Sequence, residues 1–182
     1  MRPALFNEFV EEVLLKEGGF VDRPDDSGGP TKHGITQDVA RSFGYKGRMQ
    51  DLSRSFAIEI YGVKYWDALK LTEISKLSPG IAKELADTGV NQGVARAGEF
   101  LQRMLNVLNN KGAYYKDIKV DGSIGPATLY SLNKFLELRQ SDGETVILKG
   151  LNCLQGAFYI TLAERREKDE AFIYGWLLNR IA

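Results

Sequence analysis

The sequence predicts a mainly α-helical protein with one small β-hairpin or irregular loop near its N-terminus. Three observations carry that expectation. Apolar residues recur at steps of three and four along most of the chain, the period of an amphipathic helix. Strand signals are weak throughout. The stretch EGGFVDRPDDSGGPTKHGIT, Glu17 to Thr36, breaks the helical pattern with glycine, proline and aspartate.

The first helix is expected over residues 4–17, with Leu5, Phe6, Phe9, Val10, Val13 and Leu14 on one stripe. Glu17 falls four residues after Val13 and so sits on the same, core-facing side. Gly18 and Gly19 stop the helix there. A carboxyl against apolar neighbours is costly to ionise, and the negative end of the helix dipole adds to that cost, so its pKa should rise. A protonated carboxyl near neutral pH can donate a proton to a leaving sugar oxygen. The second group for such chemistry would be Asp26, or Asp22 or Asp25, in a polar loop where a carboxylate stays ionised. Gly28 and Gly29 should make a tight, hairpin-like turn. Thr31 offers a hydroxyl to position a water, His33 stands where it would line a cleft, and Thr36 should cap the next helix. By residue type alone, the same stretch fits a solvated helix end followed by ordinary turn formers, the commoner use of aspartate and glycine.

A short helix over 37–43 should end at Gly44. Asp51 or Ser53 should cap a helix over 52–66, with Phe56, Ile60 and Val63 inward. Tyr61, Tyr65 and Trp66 are either core residues or platforms for the apolar face of a sugar. Tyr61 reads as core; Trp66 is open between the two. Ser78-Pro79 marks a helix start, with Ile81, Ala82, Leu85, Ala86 and Val90 inward. Asp87 and Asn91 share a face four residues apart; they either buttress the loop or bind hydroxyl and N-acetyl groups. Residues 94–109 form another helix. Asp121-Gly122 is a tight turn, and Ser123 and Pro126 start a helix with Leu129, Leu132 and Leu136 inward. A polar break at 140–143 precedes the longest helix, 144–168, with the stripe Ile147, Leu151, Leu154, Phe158 and Leu162. The apolar segment 172–178 should fold back on the body.

At 182 residues with 43% apolar content, the chain is long enough for a full core. Lys plus Arg and Asp plus Glu number 24 each, which argues against nucleic-acid binding through phosphate neutralisation. The single cysteine, Cys153, permits no internal disulfide and reads as a buried thiol; with one histidine it cannot build a zinc site. No cofactor or metal is expected. The N-terminus lacks the pattern of a secretory signal, and no stretch reads as a membrane span.

The pattern EGGF-V-x-x-P-x-D-x-GG-x-T-x-x-GIT resembles the signature of glycoside hydrolase family 108, bacterial and phage N-acetylmuramidases of lysozyme-like fold. The match continues through Ile60-Tyr61, Tyr65-Trp66, Asp87-x-x-Val90-Asn91-x-Gly93 and Leu101-Gln102. The C-terminal half, through Asp121-Gly122-x-x-Gly125-Pro126-x-Thr128-Leu129 and Gly175-Trp176-Leu177-x-Asn179-Arg180, resembles the predicted peptidoglycan-binding segment that accompanies that family. The resemblance implies a catalytic segment at 1–95 and a helical wall-binding segment at 96–182 packed against it. It implies Glu17 as catalytic acid, with Asp26 and Thr31 as partners at the spacing of the wider phage-lysozyme group. Asp22, His33, Trp66, Asp87 and Asn91 are then candidates for substrate binding. Phe20 departs from the tyrosine more usual at its position. The implied partner is the peptidoglycan glycan strand. The chain is expected to act as a monomer, without membrane insertion, made in the cytoplasm and released to the wall through a holin or a dedicated secretion route. The rival expectations are a lysozyme-like protein that binds wall without cutting it, and a lytic transglycosylase.

Overall fold

A computed structural model describes residues 2–17, 19–21 and 29–181, with Lys16 and Glu17 described by their backbone alone. Among these residues are eight α-helices and one two-stranded antiparallel sheet, a mainly α, lysozyme-like fold with a small hairpin. They fall into two compact units, Met1–Asp67 and Ala68–Ala182.

In the first unit α1, Ala4–Glu17, buries Phe6, Phe9 and Val10, the middle of the expected stripe. Strand β1, Thr31–Lys32, pairs with β2, Ile35–Thr36, with Thr31 opposite Thr36. The turn between them is His33-Gly34, at φ 55° and 72°. Two successive left-handed residues make the mirror-image turn that matches strand twist. The hairpin therefore turns four residues beyond Gly29, where the sequence placed it. Gly29 does adopt a left-handed φ of 64°, while Gly28 lies outside the described residues. Helix α2, Gln37–Ser42, begins at Thr36, whose hydroxyl accepts from the Val39 amide at 3.4 Å. After a 3-10 turn at Met49–Asp51, Ser53 caps α3, Arg54–Tyr61, through the Phe56 amide at 3.2 Å.

A π-helical turn, Gly62–Asp67, replaces the expected continuation of α3. In a π turn the backbone bonds run i to i+5, so side chains five apart share a face. Trp66 faces α1, and Val63 is turned outward, where it is 45% exposed instead of inward as expected. Trp66 is 0% exposed. Its ring lies 5.4 Å from Phe6, edge-on, and 5.8 Å from Phe9. No face of it is left for a sugar, so Trp66 is a core anchor and not a substrate platform.

The second unit holds α4, Leu71–Leu77; α5, Pro79–Gln92; α6, Val94–Leu108; α7, Pro126–Arg165; and α8, Glu170–Arg180. Ser78 caps α5 as predicted, its hydroxyl accepting from the Ile81 amide at 3.0 Å and donating to Glu144 at 2.8 Å. The turn at Asp121-Gly122 is held by the buried Gln102. The Gln102 side-chain carbonyl accepts from the amides of Asp121 and Gly122 at 3.0 and 2.8 Å. Its amide donates to the Ser123 carbonyl at 3.0 Å. A Cβ on Gly122 would stand 2.5 Å from the Ala95 carbonyl, so the turn can lie this close to α6 only with glycine there.

Helix α7 breaks at Gln140, inside the predicted polar gap. Its buried line is rotated from the predicted one. Ile147 and Leu151 are inward, but Gln155, Tyr159 and Ala163 follow them, while Leu154, Phe158 and Leu162 are half-buried. Cys153 is exposed, contrary to expectation, because that rotation turns it outward. By length and composition α7 also contains a window apolar enough to cross a membrane, of mean hydropathy 1.3, where no span was expected. Here it is a packed helix with Asn152 and Gln155 buried.

Candidate active site

Glu17 is the last residue of α1, where the sequence places it. Its side chain, and Asp22, Asp25 and Asp26 entirely, lie outside the described residues. What the structure does describe is the frame on either side of them. Val21 and Thr31 exchange two backbone hydrogen bonds, each 2.8 Å, in an antiparallel bridge. This bridge joins the chain that leaves α1 to the outer edge of β1. The Thr31 hydroxyl donates to the Gly29 carbonyl at 3.0 Å. Its proton is thereby committed, leaving oxygen lone pairs to accept from a water.

His33 serves the hairpin first. Its carbonyl accepts from the Tyr61 hydroxyl at 3.0 Å, which ties the turn to the end of α3. Burial, then the charges of Lys32 and Arg54, hold its imidazole below the usual histidine pKa. It is therefore neutral at pH 7. Tyr61 is buried, as expected, and stacks on Tyr65 at 5.6 Å.

A groove of about 390 Å³ opens between Phe20, just past the end of α1, and the segments after the hairpin. Gln37, Arg41, Lys46, Arg48 and Gln50 line it. Arg41 donates to the Tyr45 carbonyl at 2.6 Å, and Arg48 pairs with Asp51 at 2.9 Å. Lys32 approaches from the hairpin and donates to the Gln50 carbonyl at 2.5 Å. Positive charge is thus gathered beside the hairpin of a chain whose net charge is zero. Spacing along the sequence carries no sign of this groove, because its cations come from three separate segments.

Asp87 and Asn91 belong to α5 in the second unit. Asp87 accepts from Arg180 at 2.7 Å and from Gln155 at 3.2 Å. Asn91 donates to the Asp87 carbonyl at 2.7 Å. Asp87 thus ties α5 to α7 and α8, while the Asn91 bond stays within α5. Glu84, which sequence reasoning does not single out, lies one turn before Asp87, and burial with the Asp87 charge pushes its pKa up to about 7. A glutamate three residues ahead of an aspartate on an apolar-striped helix was the signal available for it. Among the described residues no group of three or more His, Cys, Asp or Glu could hold a metal ion.

Residues 10–93 match the family described as glycosyl hydrolase 108, and residues 96–181 match the predicted peptidoglycan domain. Residues 10–93 are a glycosyl hydrolase 108 domain. The protein is a glycoside hydrolase with a peptidoglycan-related role. The hydrolase domain runs past the first compact unit to take in α4 and α5, so Asp87 and Asn91 fall within it. A solved structure described as that of Brucella abortus SagA has the same fold, with a TM-score of 0.62 and 24% identity over 94% of this chain and 95% of that one. No curated protein matches the chain.

Proposed function

We propose that the protein hydrolyses the β-1,4 bond between N-acetylmuramic acid and N-acetylglucosamine in peptidoglycan, as a phage endolysin. Glu17 is the general acid. Asp26 is the partner carboxylate or water orienter, with Asp22 the second choice, and Thr31 positions the water. Asp87 and Asn91 contribute to substrate binding. Residues 1–95 cut and residues 96–182 hold the wall. The chain works as a monomer and reaches the wall after release through a holin or a dedicated secretion route.

One observation carries this most directly. Glu17 ends α1 within the stretch that matches glycosyl hydrolase 108, ahead of a hairpin whose Thr31 hydroxyl keeps its lone pairs open. The test compares wild type with Glu17→Gln on purified peptidoglycan, with mass analysis of the products. A positioned general acid contributes about 10²–10⁴-fold, so the variant should lose at least a hundredfold. Reducing ends on muramic acid are expected. Equal lysis by the two proteins would remove Glu17 from its role, and anhydro ends would make the enzyme a transglycosylase.

A further inference from the structure

The cleft at the break of α7 is a built site that neither family match assigns. It encloses about 450 Å³, within the range of roughly 300–1,000 Å³ typical of small-ligand sites. Leu108 and the nearly buried Phe135 form its floor. Leu138 and Val146 stand on its walls, 47% and 41% exposed. Arg139 and Asp142 put opposite charges on its rim.

Two features show that this shape is held against a cost. Gln140 sits at φ 51°, ψ −135°, a backbone conformation that side-chain-bearing residues avoid. Strain of this kind costs about 1–3 kcal/mol and persists where the surrounding structure enforces it, as at ligand clamps. Gly143 permits the two halves of α7 to meet, since a Cβ there would stand 2.8 Å from Arg139 Cβ. Arg139 is also oriented before any ligand arrives. It donates to the Tyr114 hydroxyl at 2.8 Å, and its guanidinium lies 5.4 Å from the Tyr114 ring centre.

We propose that this cleft holds the peptide stem of peptidoglycan, in preference to its glycan. This rests on the proposal that the protein works on peptidoglycan. The stem is a short peptide with free carboxylates, an amino group and alanine methyls. Arg139 matches a carboxylate, Asp142 matches the ammonium, and Leu138 and Val146 cover methyl groups. A glycan strand presents no cation for Asp142. It also wants an aromatic face to stack on, and Phe135 is 3% exposed while Arg139 occupies the Tyr114 ring.

The experiment uses the full chain carrying Glu17→Gln, so that the polymer is not digested. Co-sedimentation is measured with intact sacculi and with sacculi stripped of stems by an amidase. Binding to stripped sacculi should fall at least tenfold. Arg139→Gln and Leu138→Asp, both at exposed positions, should each lower binding to intact sacculi several-fold with unchanged circular dichroism. Equal binding to both preparations, or indifference to both substitutions in a chain that still binds sacculi, overturns the cleft assignment alone. No binding to either preparation overturns both the cleft and the role of residues 96–182 in holding the wall, while the hydrolysis test on Glu17 stands apart.

Discussion

The two units are stabilised by different means. Among the described residues, every buried polar or charged side chain lies in the second: Ser78, Thr88, Gln102, Asn109, Thr128, Ser131, Asn152, Gln155 and Asp169. The buried side chains of the first are apolar or aromatic, centred on Phe6, Phe9, Ile60 and Trp66. An apolar core is held by shape and area, and losing a piece of it leaves a cavity. A polar core is held by direction. Gln102 fixes one turn, while Gln155 bridges to Asp87 and Thr88, and a lost partner leaves an unmet hydrogen bond. The contrast divides the compact units and not the proposed cutting and holding segments, since the residues that match the hydrolase family run into the second unit through α5. The first unit packs its apolar groups beneath a hairpin, and the second sets the register of long helices that present a cleft.

The contrast is tested most severely at Trp66. Trp66→Ala should cost about 3–5 kcal/mol in denaturant unfolding, the usual loss for a large aromatic in a packed core. A loss under about 1 kcal/mol would mean that the first unit does not depend on that apolar centre. The next effect belongs to the second unit and depends on pH. Burial, with the Asp87 charge, raises Glu84 from 4.5 to about 7. Between those values the fold keeps a proton that the unfolded chain has lost, so stability falls as pH rises through that window. The contribution is complete below pH 4.5 and gone above about pH 7. Each tenfold gain in proton affinity is worth about 1.4 kcal/mol, so the whole contribution reaches at most about 3.5 kcal/mol. Glu84→Gln should flatten the melting-temperature profile across that window. An unchanged slope would place the buried proton elsewhere.

Legibility in the sequence differs from helix to helix in both units. In α1 and α5, apolar spacing found the buried face directly, and the caps at Thr36, Ser53 and Ser78 were readable because a hydroxyl before a helix has one dominant use. In α7 the apolar pattern found Leu132, Ile147 and Leu151 but was off by part of a turn elsewhere. Thr128 and Ser131 are buried where Leu129 and Leu136 were expected, and Gln155 and Tyr159 take the places of Leu154 and Phe158. Buried polar residues are invisible to a hydrophobic period. Helix α4 was missed because seven residues give too short a pattern, with Leu71 and Ile74 its main buried apolar pair. The π turn was missed because its bonds depend on packing around Trp66 and no residue type announces them. The candidate site was legible as a motif, from Glu17 to Thr36. Its electrostatic surroundings were not, since Lys32, Arg41, Lys46 and Arg48 converge only after folding.

The smallest effect is the most discriminating for the break in α7. At φ 51°, ψ −135°, Gln140 holds the mirror image of an ordinary extended conformation, which glycine enters as readily as its opposite. Gln140→Gly should therefore relieve strain of about 1–3 kcal/mol, offset by about 0.4–1 kcal/mol of greater freedom in the unfolded chain. The expected net gain is about 1 kcal/mol, or roughly 2–4 °C in melting temperature for a chain of this size. A substitution to glycine in a regular helix interior does the reverse, costing about 1 kcal/mol. The sign of the change thus separates a break that the tertiary structure enforces from a helix that is continuous in solution. Stabilisation with stem binding retained would show that the cleft depends on the path of the backbone and not on the Gln140 side chain.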